Sequence, residues 1–354
     1  MFPRCARLAV LTAALACSAT VTHAQTVTTT TIATGLSDPR GIAFGPRGDL
    51  FVTEAWTAPG ALTTLNCYQS AIGPFTGGFT SRLSRVPARG GAPRVVADGF
   101  PSTVAAVGDT FGLADAAFVD GRLLVLSSGA GCSKGHPSAV NEVLALTRDG
   151  GRRRIANLSA WILAHPGAKG EQEPDGPDYE PDGVWYSMLA DDARLLVVEA
   201  NHGLLVEIGD RGRVRLVQDL YRTIGDHTFT ALARDGDDLY VGTYGRFADN
   251  FAGAIYRPRR GRGELVASGL TSVLGIAFDR RHRLYALQAP IFDGGGAGLG
   301  SLVRIERDGT ATPVVSGLAS PASLTRGPDG AFYVPQCSFH CAPGSGWITR
   351  IEVW

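Results

Sequence analysis

The chain has 354 residues, of which 44% are hydrophobic and 19% charged, with 46 glycines and 20 prolines. That composition excludes a disordered polyampholyte and a collagen-like fibre, and it predicts a large buried core. The 33 basic residues balance the 33 acidic ones, which removes the electrostatic case for a nucleic acid or an anionic membrane as partner.

Residues 1–24 have the pattern of a secretory signal peptide. A basic start precedes the apolar run LAVLTAALA at 8–16, and Thr22 and Ala24 are small residues placed as before a cleavage site. No later apolar run approaches the roughly 18 residues of a spanning helix. We therefore expect residues 25–354 to form one secreted or periplasmic domain with no membrane span.

A strand-like signature recurs six times after the signal. The copies are DLFVTE (49–54), RLLVLSS (122–128), RLLVVEA (194–200), DLYVGTY (238–244), RLYALQA (283–289) and AFYVPQ (331–336). Equivalent positions in successive copies are 73, 72, 44, 45 and 48 residues apart, which is a period in the mid-forties with insertions in the first two repeats. Such a period is typical of propeller blades.

Each copy lies between two further apolar segments, joined to the first of them by a short turn rich in Gly and Asp. Five repeats also own a fourth strand, whereas the sixth ends at Trp354 without one. The segment TVTTTTIATGL at 26–36 has no preceding strands, and its ending resembles ASGL at 267–270. We therefore predict an all-β, six-bladed β-propeller whose mature N-terminal strand completes the last blade, a closure that removes exposed sheet edges.

Five longer segments carry a family resemblance. They are GLSDPRGIAFGPRGDLFVTEA (35–55), NLSAW (157–161), DYEPDGV (178–184), LLVVEA (195–200) and SLVRIERDG (301–309). Together they resemble the ScyD/ScyE-like family of secreted propellers, within the NHL/SMP-30-like superfamily. The resemblance covers essentially the whole mature chain and implies a propeller fold and export, but little about chemistry. The loop at 178–183 departs from the family's usual D-S-N-P-Y-G by being more acidic.

Four cysteines remain once the signal is removed, an even number that predicts disulfides in an oxidising compartment. They are Cys67, Cys132, Cys337 and Cys341. We expect Cys337 to pair with Cys341 inside one loop, and Cys67 with Cys132 across neighbouring blades, which closes a segment long enough to stabilise the fold by about 4 kcal/mol. A Cys67–Cys337 pairing is the alternative, because blades 6 and 1 adjoin. A zinc site is disfavoured because no second close cysteine pair exists, and lipidation of Cys17 is the alternative fate of the signal.

The long connections all belong to one face of the predicted propeller, which we call the long-loop face. They are 55–80, 99–113, 129–140, 159–182, 245–252, 288–299 and 336–345. Loops longer than about a dozen residues usually carry function or are disordered. We expect any binding surface on this face, with loop growth without a ligand as the alternative.

An acidic loop within that face is the candidate cation site. Its acids are Glu171, Glu173, Asp175, Asp178, Glu180 and Asp182. Oxygen ligands at alternating positions suit Ca²⁺ or another divalent cation, and Asp178, Glu180 and Asp182 are the candidate ligands; a solvated polar loop is the alternative. Asp182 also opens an innermost strand, where the similar SMP-30 gluconolactonases place a metal-binding acid. The partner positions around Asp38, Asp115 and His227 do not reproduce the Glu and Asn of those enzymes.

Three further candidates are single residues. Glu54 and Glu199 end second strands and are placed to face the long-loop side, although strand-end acids are more often solvated. His227 begins an innermost strand and is a candidate base, with a structural role as the alternative. With Asp182, these are the candidate binding residues.

No known catalytic motif is present: H-E-x-x-H, G-x-S-x-G and the P-loop are all missing from the sequence. Without a complete catalytic set, the chain is better interpreted as an exported scaffold that binds a small molecule or a protein partner than as an enzyme. A metal-dependent hydrolase of the lactonase type and a protein-interaction platform are the alternatives. No cofactor is certain, and a divalent cation is the one that the sequence suggests.

Overall fold

The structure is a computed structural model that describes residues 26–55, 65–67, 70, 72–147, 150–172, 179–209, 211–246, 252–289 and 298–354. This part of the chain is nearly all β-structure, arranged in antiparallel sheets of four or five strands. The prediction of an all-β chain is confirmed.

The sheets follow one another along the sequence, and each begins with a strand that starts on the long-loop side. A first strand, β1 (Val27–Leu36), precedes them. Sheet 1 contains β2 (Pro39–Phe44), β3 (Leu50–Glu54), β4 (Phe75–Val86), β5 (Arg94–Ala105) and β6 (Thr110–Phe111). Sheet 2 contains β7 (Leu113–Val119), β8 (Arg122–Ser127), β9 (Glu142–Leu146) and β10 (Arg152–Asn157). Sheet 3 contains β11 (Trp185–Asp191), β12 (Arg194–Glu199), β13 (Leu204–Ile208) and β14 (Val214–Asp219).

The second half of the chain repeats the arrangement. Sheet 4 contains β15 (Thr228–Asp235), β16 (Asp238–Gly245), β17 (Ala252–Arg259) and β18 (Arg262–Thr271). Sheet 5 contains β19 (Val273–Phe278), β20 (Leu284–Gln288), β21 (Leu299–Ile305) and β22 (Ala311–Ala319). Sheet 6 contains β23 (Thr325–Arg326), β24 (Phe332–Gln336) and β25 (Gly346–Val353), with β1 as its fourth strand.

The strand β1 pairs antiparallel with β25, in a register that runs from Val27 opposite Val353 to Leu36 opposite Gly346. Four successive threonines, Thr28 to Thr31, are exposed, whereas Leu36 is fully buried. Exposed β-branched residues suit an outer strand that is covered on one side. The two ends of the described chain therefore belong to one sheet.

The first strands of neighbouring sheets touch one another. The contacting pairs are β2 with β7, β7 with β11, β11 with β15, β15 with β19, β19 with β23, and β23 with β2. Side-chain hydroxyls also join neighbouring sheets near these contacts: Thr53 of β3 lies 3.4 Å from the Ala114 carbonyl, Thr230 donates to the Val273 carbonyl, and Ser323, just before β23, donates to the Arg40 carbonyl at 2.6 Å.

Hydrophobic side chains fill the spaces between sheets rather than the middle of one globule. One cluster joins sheets 2 and 3 around Trp185, which is 1% exposed. Another joins sheets 6 and 1 and includes Leu36, Ile42 and Ile348. Each such side chain contributes about 1.5 to 3 kcal/mol by burial, so every sheet depends on its neighbours for its core.

Short helices lie in the connections between sheets. They are α1 (Leu158–Ala164), α2 (Gly167–Gln172) and α3 (Leu220–Ile224), with one 3₁₀ turn at Cys132–Lys134. Asn157 caps α1 by accepting a hydrogen bond from the Ala160 amide at 2.9 Å. Among the described residues, none of the helices has the length and apolarity needed to cross a membrane.

The described residues contain two disulfides, and both are those predicted. Cys67 pairs with Cys132 at a Cα–Cα distance of 5.4 Å, and Cys337 pairs with Cys341 at 5.6 Å. The first joins two long connections of sheets 1 and 2, across 65 residues of sequence. Two disulfides in one chain are typical of an oxidising, extracellular environment.

Candidate functional site

Glu54 and Glu199 share one structural role with two glutamines at equivalent strand ends. Each accepts a backbone N–H from the segment that enters its own sheet. The bonds run from Ser37 N to Glu54, Val184 N to Glu199, Thr271 N to Gln288, and Ala319 N to Gln336, each at 2.7 Å. Because glutamine fills the position twice, the requirement is for an oxygen acceptor and not for a carboxylate.

The two carboxylates also accept further hydrogen bonds from other groups inside the protein. Arg82 binds both oxygens of Glu54 at 2.8 Å, and Glu199 accepts the amides of Asn201 and His202 at 3.1 and 2.6 Å. Both acids are 0% exposed. Their expected exposure on the long-loop side is not what the structure shows: the sheets bury them, because unpaired backbone amides at that point require an acceptor.

The described part of the acidic loop forms a buried ion pair. Lys134 is 0% exposed, and its ammonium group donates to the Glu180 carboxylate and, at 3.0 Å, to the Gly183 carbonyl. Asp182 is held separately, by the amide and hydroxyl of Ser133, both at 3.2 Å. The cation at this junction is therefore supplied by the chain itself.

These contacts concern two of the three candidate ligands of the predicted calcium site. Asp178 lies outside the described residues, while Glu180 and Asp182 are bound to different partners. In the part of the chain that the structure covers, no group of three or more His, Cys, Asp and Glu side chains is placed to hold a metal ion. Glu180 and Asp182 are therefore not arranged as ligands of one cation, and a cation site that includes Asp178 stays a prediction.

His227 stands at the start of β15, as expected, but its neighbours are aromatic. Its Nε2 lies 3.3 Å from the Tyr256 hydroxyl, and its ring meets Phe229 edge-on at 6.1 Å between centroids. This surrounding resembles the packing of a structural histidine, and Asp182 and the two strand-end glutamates are not among its described neighbours.

A second group of polar side chains converges where the first strands begin on the long-loop face, and we call it the mouth cluster. Its members are Asp38, Arg40, Asp109, Tyr186, Tyr244 and His340. Sheet 1 with its turn between β5 and β6, sheets 3 and 4, and the loop between β24 and β25 all contribute to it. Residues from sheets 1, 3, 4 and 6 therefore meet at one place.

Arg40 holds the mouth cluster together. Its guanidinium donates two bonds of 2.8 Å to the carbonyl and hydroxyl of Thr110 and lies 3.7 Å from the centroid of the Phe339 ring. Next to it, His340 Nε2 and an Asp109 carboxylate oxygen are 3.2 Å apart. The turn before β6 and the loop after β24 thus meet over the entrance to β2.

Burial shapes the acid–base properties of these groups. It raises the pKa of Asp38 to about 6, although Arg40 and a hydrogen bond with Thr110 act in the opposite direction. Burial likewise lowers the pKa of the Arg40 guanidinium, raises the pKa of the Tyr186 phenol to about 12, and raises the pKa of Tyr244. A carboxyl that titrates near neutrality beside a buried cation is typical of functional sites.

The backbone at Asp38 recurs in two other sheets. Asp38, Ser272 and Ser320 precede the first strands of sheets 1, 5 and 6, and their φ angles are 44°, 39° and 38°. This left-handed conformation is uncommon for residues other than glycine and is most often tolerated by Asn and Asp. Only the first of the three positions carries a charge.

We expect Asp38→Asn to stabilise the protein at neutral pH, because asparagine keeps the left-handed backbone without the buried charge. Since the folded pKa of about 6 lies above the ordinary 3.8, the free energy of unfolding falls as pH rises through that window and stays low above it. The advantage of Asp38→Asn over wild type should grow by about 2 kcal/mol between pH 4.5 and pH 7.5, as measured by urea unfolding.

The matched control is Asp120→Asn, since Asp120 also has a left-handed φ of 48° but its side chain is 60% exposed. As a substitution of an exposed side chain, Asp120→Asn should change the free energy of unfolding by no more than about 0.5 kcal/mol. A difference between Asp38→Asn and wild type that does not vary with pH would show that Asp38 is not the group that titrates.

Sequence reasoning missed most of the mouth cluster. It had named Asp38 only as a position that fails to match a lactonase set, and it had not named Arg40, Asp109, Tyr186, Tyr244 or His340. One usable signal was the alignment of the repeats, in which Asp38 replaces the serines found at 272 and 320.

Comparisons with known proteins show the fold. No protein-family model matches the sequence, and no curated protein matches it. Among solved structures, a Thermus thermophilus protein described as an oxidoreductase (glucose dehydrogenase) is similar, with a TM-score of 0.57 and 15% identity over 92% of this chain and 100% of that one.

Two other solved structures are similar at the same level. A gluconolactonase from Xanthomonas campestris gives a TM-score of 0.53 and 12% identity, over 92% of this chain and 89% of its own. A regucalcin from Agrobacterium tumefaciens, described as calcium-binding, gives 0.54 and 13%, over 90% and 91%. At such identities the likeness shows the fold alone: the chain has a β-propeller fold.

Proposed function

We propose that this protein is an exported six-bladed β-propeller that binds a small organic molecule at the mouth cluster. The contacts of first strands from β2 round to β23 and back to β2 support a closed ring of six blades. The ladder between β1 and β25 supports closure by the N-terminal strand. The sequence resemblance to the ScyD/ScyE-like propellers agrees with this proposal.

Export is the part of the proposal that rests on the sequence, since residues 1–25 lie outside the described part of the chain. The two disulfides support it, because such bonds persist in oxidising compartments. Intact mass of protein recovered from the cell envelope or the medium should give a chain that begins at Gln25. A lipid-modified Cys17 at the new N-terminus would contradict cleavage after Ala24.

Binding at the mouth cluster is carried by one observation. Charged and phenolic groups from sheets far apart in the sequence converge on a buried arginine at the long-loop face. Burial of a cation costs free energy unless its surroundings compensate, and the two residues that contact the Arg40 guanidinium, Thr110 and Phe339, are both uncharged. A site for a ligand gives that arrangement a use, and propeller mouths offer the concave surface that small molecules need.

The test is a screen of small neutral, cationic and anionic organic fragments, followed by saturation-transfer NMR on the mature protein. Bound fragments should compete with one another and lose their signal in Tyr186→Ala, while Tyr256→Ala, which alters the aromatic group around His227 instead, should leave binding intact. The proposed site would be refuted if no fragment bound, or if Tyr186→Ala bound the fragments as well as the wild-type protein does.

A metal-dependent lactonase is the second candidate, favoured by the likeness to the Xanthomonas campestris gluconolactonase. Its test is metal analysis of the mature protein together with a lactone-hydrolysis assay in added Ca²⁺, Mn²⁺ or Zn²⁺. Stoichiometric metal with turnover would establish it in place of the binding scaffold. Inactivity in all three metals would remove it.

A further inference from the structure

Arg40 is unusual among the described arginines because it is buried and its charge is not matched by a contacting carboxylate. The residue is 9% exposed. Within the described residues it takes part in no ion pair of 4.0 Å or less, and its two bonds of 2.8 Å go to an uncharged residue, Thr110. The Nε–H of the same guanidinium is buried and has no acceptor among the described residues.

The nearby acids do not supply Arg40 with a contacting carboxylate. Asp109 is bound to His340 at 3.2 Å, and Asp38 interacts with Arg40 only across a longer distance. A buried guanidinium with an unused N–H is costly, because both its charge and its donor have left water. An oxyanion would supply the missing charge and the missing acceptor at once.

The aromatic side chains near Arg40 indicate what the uncharged part of the ligand should be. The Phe339 ring centroid lies 3.7 Å from the guanidinium carbon, Tyr186 interacts electrostatically with Arg40, and Tyr244 interacts in the same way with Tyr186. All three rings pack against one hydrophobic cluster. Aromatic side chains favour a flat, apolar partner, which they contact edge-on or in an offset stack. One cation among three rings thus suits a molecule with an aromatic body and a single anionic group.

We propose that the mouth cluster binds an aromatic carboxylate, whose oxyanion pairs with Arg40 while its ring lies among Phe339, Tyr186 and Tyr244. This inference rests on the proposed function and narrows it to one ligand class. It assigns Arg40 the recognition of the anion, and the three rings the recognition of shape. Because planar guanidinium groups pair with carboxylates through two donors, lysine is not an equivalent substitute.

The test compares benzoate with benzamide, which has the same ring but no charge, by NMR titration of the mature protein. Benzoate should bind at least tenfold more tightly than benzamide. Arg40→Gln should remove that preference by weakening benzoate binding at least tenfold and leaving benzamide binding unchanged. The control is Arg152→Gln, because Arg152 also lies 3.7 Å from an aromatic centroid, that of Phe100, but on an outer strand; it should bind benzoate as wild type does.

Two more variants keep the test decisive if Arg40→Gln does not fold. Arg40→Lys retains the charge and should bind benzoate severalfold more weakly. Asp38→Asn removes a neighbouring negative charge and should bind benzoate severalfold more tightly, an effect in the opposite direction that a general loss of structure cannot produce.

The outcomes separate this inference from the proposed function. Equal binding of benzoate and benzamide, or benzoate binding that Arg40 and Asp38 variants do not change, would overturn the aromatic-carboxylate assignment. If neutral fragments still bound at the mouth and lost their signal in Tyr186→Ala, the proposed function would stand without it. Failure of all fragments, benzoate included, would overturn both.

Discussion

A mature chain that starts at Ser37, and therefore lacks β1, should lose about 4 kcal/mol or more of its free energy of unfolding. The deletion removes Leu36 and Ala33 from the cluster between sheets 6 and 1, and loss of one buried leucine alone costs about 2 to 5 kcal/mol. It also leaves β25 as an unpaired edge, which can recruit a second chain. The melting temperature should fall by roughly 5 to 10 °C, and the protein should associate at concentrations where wild type is monomeric.

The control is Thr30→Ala within the intact strand, because Thr30 is exposed and its loss should change stability by no more than about 0.5 kcal/mol. A synthetic peptide of residues 26–36, added in excess, should restore part of the melting temperature by mass action. Melting and sedimentation like those of the wild type would show that β1 does not complete the last sheet in solution, and the closure model would then be wrong.

Lys134→Met should destabilise the protein by about 3 to 5 kcal/mol, the usual cost of removing one partner from a buried ion pair. Methionine matches the length of the lysine stem, so the loss reports the unpaired Glu180 carboxylate, whose side chain is only 3% exposed. The double variant Lys134→Met with Glu180→Gln should recover a large part of the loss, because no buried charge remains. Denaturant unfolding of oxidised protein measures all three.

The chain provides a matched control, since Lys169 is its only other lysine. Lys169 pairs with Asp226 at 3.1 Å, but that aspartate side chain is 35% exposed. Lys169→Met should therefore cost no more than about 1 kcal/mol. Similar losses in Lys134→Met and Lys169→Met, or no recovery in the double variant, would contradict a buried charge pair at the junction of the two loops.

The β-architecture was predictable because each repeat carries its own evidence. Strand positions and turn residues are local, and the number of segments per repeat made 26–36 a surplus strand. The cysteine pairing was also predictable from the sequence, because equivalent loops of neighbouring repeats lie side by side. Such inferences need only the period of the sequence and the regular geometry of sheets.

The roles of single charged residues depended on contacts that no local pattern contains. Lys134 and Glu180 are 46 positions apart, and only the packing of sheets 2 and 3 brings their loops together. A signal was nevertheless present: only two of 33 basic residues are lysines, and both are buried. In the same way, the alternation of Glu and Gln at positions 54, 199, 288 and 336 indicated an acceptor common to all four strand ends.

The pairing of β1 with β25 also determines on which side of the protein a fusion partner or a surface tether would lie. The Trp354 amide donates to the Thr26 carbonyl at 3.1 Å, so the two ends of the described chain are neighbours. From Thr26, β1 runs its whole length before the chain reaches Asp38 at the mouth cluster, so both ends of the described chain lie on the side away from the long loops. A fusion partner or a surface tether at either end would leave the mouth open, and a short linker joining the ends would allow circular permutation at a turn of the same far side, such as the one at 279–283.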